Sequence, residues 1–366
     1  MLQPYDKNNS NLRDFDECVT LMRGGSKTFF AASKLLPKRV RQASIALYAF
    51  CRVADDLVDN ASHPEKSLEE LQLRLDCIYE QKPMDFIEDH ALSHVVYQFK
   101  LPRALLDALL EGFAWDAQSH QYLTIEDVHA YGARVAGSVG AMMSWMMGAR
   151  NSSTLARACE LGVAMQLTNI ARDVGEDARN GRLYLPRDWL VAEGIDPEEW
   201  LRNPRLSQGI QNVVEKLLIE ADRLYVQSSV GVADLASDCR AAIFAARLIY
   251  AEIGEYLKNN RFDSVNQRSV VPLSRKLWLL CQAKIQAPWI VTPKINKPAL
   301  KAIAYLVDAC QAHCDLHGLK PEGFPNRGFP DRVEWILELI ERRLNEENQF
   351  AQSYKSQIAN SIHKSH

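Results

Sequence analysis

The sequence predicts an all-α protein. No alternating apolar–polar stretch of useful strand length occurs in the 366 residues. Apolar residues instead recur at helical spacing, as in RQASIALYAFCRVADDLVD (41–59), where Ile45, Leu47, Tyr48 and Cys51 repeat with a helical period. Glycine and proline, 17 and 15 residues, are few for a β-rich or low-complexity chain. The composition, 47% hydrophobic and 24% charged, is that of a globular protein with a sizeable core.

The elements follow in order. Residues 14–35 read as a helix interrupted at Gly24-Gly25 and restarted at Ser26. Pro37 opens the next helix, whose end is acidic and is broken at residues 60–64. Residues 68–79, 89–99 and 102–118 are further amphipathic helices. Thr124 with Asp127 makes a capping-box start for the next. Residues 135–147 are rich in Gly, Ala, Ser and Met; such residues either let helices approach closely or leave room for a ligand against a greasy wall. A helix over 153–177 follows, then a turn at 179–182 and a loop region marked by Pro186, Gly194 and Pro197. Helices resume at 207–228, 233–260 and 274–284. The expected organisation is a core domain over 1–285, a proline-bearing linker over 286–298, and a C-terminal extension over 299–366 with helices at 299–317 and 331–354.

Several function classes are excluded or disfavoured. A net charge of −3 and the lack of a basic tract with interleaved aromatics argue against nucleic-acid binding. No apolar run approaches the ~18 residues of a membrane span, and the polar N-terminus lacks a signal core. The eight scattered cysteines read as free thiols of a reducing cytosol, so a cytoplasmic protein is expected. Cys310, His313, Cys314 and His317 share one helix face, but four ligands on one helix do not readily converge on a tetrahedral ion. They read as a helix face of mixed burial.

The chemistry concentrates in two stretches. Asn169, Arg172, Asp173 and Asp177 stand at i, i+3, i+4 and i+8, one stripe of a helix otherwise apolar enough to be buried. Asp55, Asp56 and Asp59 form a second acidic cluster at the end of another apolar helix. Facing carboxylates repel, and some take up protons unless a cation intervenes. Mg²⁺ is a hard cation that binds carboxylate oxygen and bridges to substrate phosphates. Arg52 and Arg172 beside the acids fit an anion behind the metal. Together the clusters predict Mg²⁺-dependent ionisation of allylic diphosphates inside a helical bundle.

These residues carry a resemblance. YAFCRVADDLVD (48–59) and QLTNIARDVGEDARNGRLYLP (166–186) resemble the squalene/phytoene synthase family, and within it the bacterial phytoene-forming members. GSKTFFAASKLLP (25–37), EGFAWDAQSHQY (111–122), YGARVAGSVGAMM (131–143) and RKLWLL (275–280) match in the family's order. The resemblance implies the isoprenoid-synthase helical bundle with a central cavity. It also implies head-to-head condensation of two geranylgeranyl diphosphates, through prephytoene diphosphate, to phytoene without NADPH. By the same resemblance Asp55, Asp59, Asn169, Asp173 and Asp177 hold Mg²⁺ (or Mn²⁺). Tyr48, Arg52, Gln166 and Arg172 contact diphosphate or position the reacting carbons, and Ser26, Lys27 and Thr28 belong to an early diphosphate-contacting segment. Tyr131 faces the reaction centre, Tyr250 matches on a later helix, and Arg268 and Lys276 match basic diphosphate contacts. Val135, Ala136, Gly137 and Gly140 match the wall of the prenyl tunnel.

A C40 hydrocarbon, at ~0.8 kcal/mol per buried CH₂, does not leave into water. Peripheral membrane contact and hand-off to a membrane-bound phytoene desaturase are therefore expected, with Trp278 and Trp289 as candidate contacts. Squalene or dehydrosqualene synthesis from farnesyl diphosphate shares both motifs and is the near alternative. A head-to-tail prenyltransferase would carry a second DDxxD where this chain has NxxRDxxED. A non-catalytic assembly factor would be marked by loss of a motif, and both are intact.

Overall fold

A computed structural model describes the backbone of residues 7–25, 27–290 and 298–319, and side chains within 15–25, 29–290 and 298–319. Among the described residues there is no strand. Fifteen helices follow in order: α1 (Lys7–Gly25), α2 (Lys27–Ser33), α3 (Lys38–Asp59), α4 (Pro64–Tyr79), α5 (Ile87–Phe99), α6 (Arg103–Ala117), α7 (Ile125–Gly132), α8 (Ser138–Met146), α9 (Ser152–Arg179), α10 (Arg187–Ala192), α11 (Pro197–Arg202), α12 (Gln208–Val232), α13 (Ser237–Asn259), α14 (Leu273–Gln286) and α15 (Ala304–His317).

The two helices that carry the acidic stretches have clear local causes. Pro37 precedes the first turn of α3, where a fixed φ and a missing N–H cost nothing. Asn151 caps α9 by accepting from the Thr154 N–H at 2.8 Å. The C-terminus of α9 is set by Asn180 and by Gly181, whose φ of +74° a side chain would disfavour. Between these ends α9 buries Leu161, Val163, Leu167, Ile170, Ala171 and Val174. It packs along α12 and α8, with α13 and α3 completing the wall around a central cavity.

Thr124 caps α7 through the expected capping box, its hydroxyl facing the Asp127 N–H and Asp127 accepting from the Thr124 N–H at 2.9 Å. A five-residue π-helical turn, Ala133–Gly137, then joins α7 to α8. Such a turn widens the helix and shifts the face that the next residues present. Both readings of the Gly/Ala/Met segment hold: a Cβ on Gly140 would collide with the Ala158 carbonyl and one on Gly162 with the Ala136 carbonyl, while Ala136 and Gly140 also line the cavity.

One expectation is corrected. The region read as a loop around Pro186, Gly194 and Pro197 contains two short helices, α10 and α11. Pro197 starts α11 rather than breaking it: Asp196 caps the helix by accepting from the Glu199 N–H at 2.8 Å, and proline at the first position is preorganised. The linker expected at 286–298 begins with a 3₁₀ turn, Ala287–Trp289, and residues 291–297 lie outside the described set. The helix expected at 331–354 lies outside it too.

Residues 298–319 pack into the same core as the preceding helices. Glu160, with its side chain fully buried on α9, accepts from Arg157 Nη1 at 2.7 Å, Gln227 Nε2 at 2.8 Å and the Leu300 N–H at 3.0 Å. Gln227 Nε2 also donates to the Pro298 carbonyl at 2.9 Å. Ile303, Leu306, Val307, Cys310 and Cys314 are buried in the main hydrophobic cluster. Cys310 and Cys314 therefore face the core, while His313 meets the edge of Trp145 and lies against His317. This is the helix face of mixed burial read from the sequence.

Candidate active site

The acidic clusters of α3 and α9 lie at one end of an apolar cavity of about 310 Å³. Tyr48, Cys51, Gln166 and Asn169 line the cavity; Asp55 is one turn beyond Cys51 and Asp173 one turn beyond Asn169. Along α9 the lining runs from Thr154 to Asn169, which at 1.5 Å per residue is about 22 Å. Val135, Ala136, Val139, Gly140 and Met143 form one wall; Val232, Leu235, Ile243 and Tyr250 lie on another. The cavity is thus a greasy channel with carboxylates and amides at one end.

Four arginines pair with these carboxylates. Arg52 reaches Asp56 at 2.6 Å and Asp55 at 3.6 Å. Arg182 Nη2 donates to Asp59 Oδ1 at 2.6 Å, tying the loop after α9 to the end of α3. Arg172 Nε and Arg268 Nε both approach Asp173 Oδ1 at 2.8 Å, and Arg268 also reaches Glu176 at 3.3 Å. Asp177 and Asp55 differ from these. Burial, with Asp173 and Glu176 nearby, pushes Asp177 up to about 7. Burial, with Asp59 nearby, pushes Asp55 up to about 6.

Asp116 on α6 joins the two clusters. Its Oδ2 accepts from the Tyr131 hydroxyl at 2.8 Å and its Oδ1 from the Tyr184 hydroxyl at 2.7 Å. The two phenol rings stack with centroids 5.0 Å apart, and Tyr122 packs against both. Burial raises the Asp116 pKa, the two tyrosine hydrogen bonds oppose that shift, and its charge acts on Asp55 and Asp177. Seven carboxylates, Asp55, Asp56, Asp59, Asp116, Asp173, Glu176 and Asp177, thus share one electrostatic neighbourhood.

These donors fit a divalent cation. They are hard oxygens, and burial and neighbouring acids make two of them resist ionisation. Among the described residues no three His, Cys, Asp or Glu side chains converge on one point, and arginines pair with Asp56, Asp59 and Asp173.

The structure brings most of the expected residues together. Tyr48, Gln166, Asn169, Tyr250, Val135, Ala136 and Gly140 line the cavity. Tyr48 stacks on Phe29 at 5.5 Å, and Asn169 Nδ2 donates to Gln166 Oε1 at 3.4 Å. Arg172, Arg268 and Lys276 line a second cavity of about 220 Å³ with Val270 and Ile253. Gly137 is the exception among the tunnel residues: a Cβ there would meet the Cys159 carbonyl and Leu306, so it faces helix packing. Tyr131 is buried against Asp116. Ser26 and the side chains of Lys27 and Thr28 lie outside the described residues.

Sequence reasoning missed Asp116, Tyr184 and Arg182 as members of the site. A lone acid on α6 has no spacing partner, and only its presence in the matched segment 111–122 could have drawn attention to it.

Comparison with known proteins agrees with this geometry. The family model described as squalene/phytoene synthase matches residues 22–276. A phytoene synthase of Rhodobacter capsulatus is 48% identical over 316 residues, spanning 84% of this chain and 93% of the relative. A 15-cis-phytoene synthase of Pantoea ananas is 35% identical over 291 residues, spanning 76% and 93%. A crystal structure of a dehydrosqualene synthase in complex with a ligand superposes with a TM-score of 0.72 at 32% identity, covering 78% of this chain and all (100%) of the other. A squalene synthase from Alicyclobacillus acidocaldarius shares the fold, with a TM-score of 0.64 at 23% identity over 69% of this chain and 96% of the other.

Proposed function

The chain belongs to the squalene/phytoene synthase family, and from that membership we propose that it is a phytoene synthase acting on two molecules of geranylgeranyl diphosphate. It is an enzyme of the prenyltransferase type. The observation that carries the proposal is the position of the two acidic stretches at one end of a long apolar cavity.

Asp55, Asp59, Asn169, Asp173 and Asp177 are the residues to hold Mg²⁺, for which Mn²⁺ is the alternative. A cation held there would supply positive charge to the departing diphosphate. The chain's own groups do the rest. Arg52, Arg172, Arg268 and Lys276 offer charge-assisted donors to phosphate oxygens, and Ser26, Lys27 and Thr28 are assigned the same task. Tyr48, Gln166 and Tyr250 border the cavity where the reacting carbons would lie. Tyr131, fixed by Asp116, keeps the acidic end ordered. Val135, Ala136 and Gly140 wall the prenyl chains, and the apolar lining keeps water from the carbocation.

In the first half-reaction a C–O bond of one allylic diphosphate breaks, its C1 adds across the double bond of the second, and a proton leaves, giving cyclopropyl prephytoene diphosphate. In the second half-reaction the remaining C–O bond breaks, the cation rearranges, and loss of a proton gives phytoene. No electrons enter, so NADPH is not required.

A C40 hydrocarbon calls for a membrane as its destination, which supports peripheral membrane contact and hand-off to a membrane-bound desaturase. The test is product identification with Mg²⁺ and either geranylgeranyl or farnesyl diphosphate, with and without NADPH. Phytoene from the C20 substrate alone is expected. Squalene or dehydrosqualene from only the C15 substrate would overturn the substrate assignment and leave the site chemistry in place.

A further inference from the structure

Helix α14 is apolar on two opposite sides. One side buries Leu279 and Ala283, followed by Ala287, as the helix packs on α13. The other side exposes Leu273, Leu277, Trp278 and Ile285 and continues into Trp289. Leu273 is 71% exposed, Ile285 70% and Trp289 80%. A single exposed leucine is ordinary. Five large apolar side chains at helical spacing along one outer face are not, because nothing in the folded core gains from them.

The sequence that carries this face has charge of one sign. Between Asp263 and Asp308 the chain carries seven Lys or Arg and no Asp or Glu, although its net charge is −3. Lys284 is exposed on the helix itself, and Arg275 lies over the Trp278 ring at 4.4 Å while pairing with Glu252. The outer face of α4, by contrast, shows Glu65, Glu69 and Glu70. Apolar side chains, two tryptophans and basic residues with no acid in the same stretch of sequence are the features of a helix that lies in the headgroup region of an anionic bilayer.

We propose that the outer face of α14 docks the enzyme on an anionic phospholipid surface. The purpose of the docking, though not the observation behind it, rests on the hydrocarbon product proposed above. The first turns of α14 adjoin the active site: Val270 and Lys276 line a cavity together with Arg172 and Arg268. Docking along α14 therefore brings the catalytic end of the molecule to the membrane. The neutral product enters lipid there, and the charged end stays accessible to diphosphate.

Cys281 provides a probe on the face itself, being the exposed one of the eight cysteines. The full-length protein is labelled there with an environment-sensitive fluorophore and mixed with phosphatidylglycerol-containing or pure phosphatidylcholine vesicles. The expected result is a blue shift with the anionic vesicles, with partitioning weakened by salt. Leu277→Glu combined with Ile285→Glu is expected to weaken vesicle binding about tenfold or more, and Lys284→Gln about fivefold. None of the three residues lies in the catalytic site, so turnover of detergent-dispersed substrate stays unchanged. Vesicle binding that is indifferent to these substitutions overturns the proposal. So does a Cys281 that water-soluble reagents do not reach, which would mean that another part of the chain covers the face. A shift in sedimentation caused by Leu277→Glu without loss of vesicle binding would instead assign the face to a second copy of the chain. Hydrocarbon formation in detergent reports the proposed reaction separately. Binding without product would remove the reaction and support the docking; product without binding would remove the docking and support the reaction.

Discussion

Asp116 shows how one side chain holds two acidic stretches in register. It accepts from Tyr131 and Tyr184, and its charge reaches both Asp55 and Asp177. Asp116→Ala strands two largely buried phenols and removes a charge that the cation would balance. By analogy with outer groups around metal ligands, activity and Mg²⁺ affinity should fall about 10- to 100-fold while helical content persists. Titration of the rate with Mg²⁺, alongside circular dichroism, checks this; an unchanged metal dependence would refute it. Asp55 and Asp177 make a second prediction. Both lie above the usual carboxylate value of 3.8, at about 6 and about 7. The folded protein therefore keeps protons that the unfolded chain has already released in that window. This contribution to stability is fully present below pH ~3.8 and is lost as pH rises through ~6 and ~7. At pH 8 both groups are ionised and repelled by neighbouring acids, so a divalent cation has most to offset there. Mg²⁺ should raise Tm, by about 1–2 °C for each kcal/mol gained in a chain of this length, at pH 8 and by much less at pH 5. Thermal scans with and without metal at both values decide it. The acids at i, i+4 spacing were legible in the sequence because helix periodicity alone aligns them. Asp116 was not, because its partners come from α7 and from the segment after α9.

Helices α3 and α9 were readable almost to their ends, since an apolar stripe, a proline start and an Asn-Gly stop all agree. Helices α10 and α11 are hidden in the sequence because proline and glycine read as breakers, whereas Asp196-Pro197 is a helix start. The π-helical turn at Ala133–Gly137 has no sequence signature either; it lies against the backbone of α9. The Gly162 backbone packs against the Ala136 carbonyl, and the Ala136 side chain lines the cavity. Two substitutions at this crossing should therefore behave differently. Gly162→Ala places a methyl against backbone that has nowhere to go, and about 1–3 kcal/mol of stability should be lost. Ala136→Phe puts bulk into the channel instead. The proposed C20 substrate should lose more kcat/KM than a C15 analogue, by about tenfold or more, with a smaller change in Tm. Equal losses for both substrates would place Ala136 outside the prenyl path.

At the scale of the molecule, the described C-terminal residues hold the catalytic core together. Residues 298–300 are clasped by Glu160 and Gln227, and Ile303, just before α15, joins Leu306 and Val307 of α15 in the main cluster. No periodicity could reveal this, because Glu160 and Leu300 are 140 positions apart. The clasp also touches the channel, since Arg157, which pairs with Glu160, lines the cavity. Burial raises the Glu160 pKa, while the Leu300 N–H and Arg157 oppose the shift, so the carboxylate depends on its partners. Glu160→Ala removes the acceptor for Arg157, Gln227 and the Leu300 N–H at once, and breaking a buried pair in this way costs about 3–5 kcal/mol. Gln227→Ala removes the link to Pro298 and one donor to Glu160. If the four groups act as one clasp, either single substitution already releases residues 298–300, and the double variant should fall short of additivity by about 0.5–3 kcal/mol. Denaturant unfolding of the wild type, both single variants and the double variant measures that coupling. Strict additivity would mean that Glu160 and Gln227 stabilise α9 and α12 separately, and that α15 is held by its apolar contacts alone.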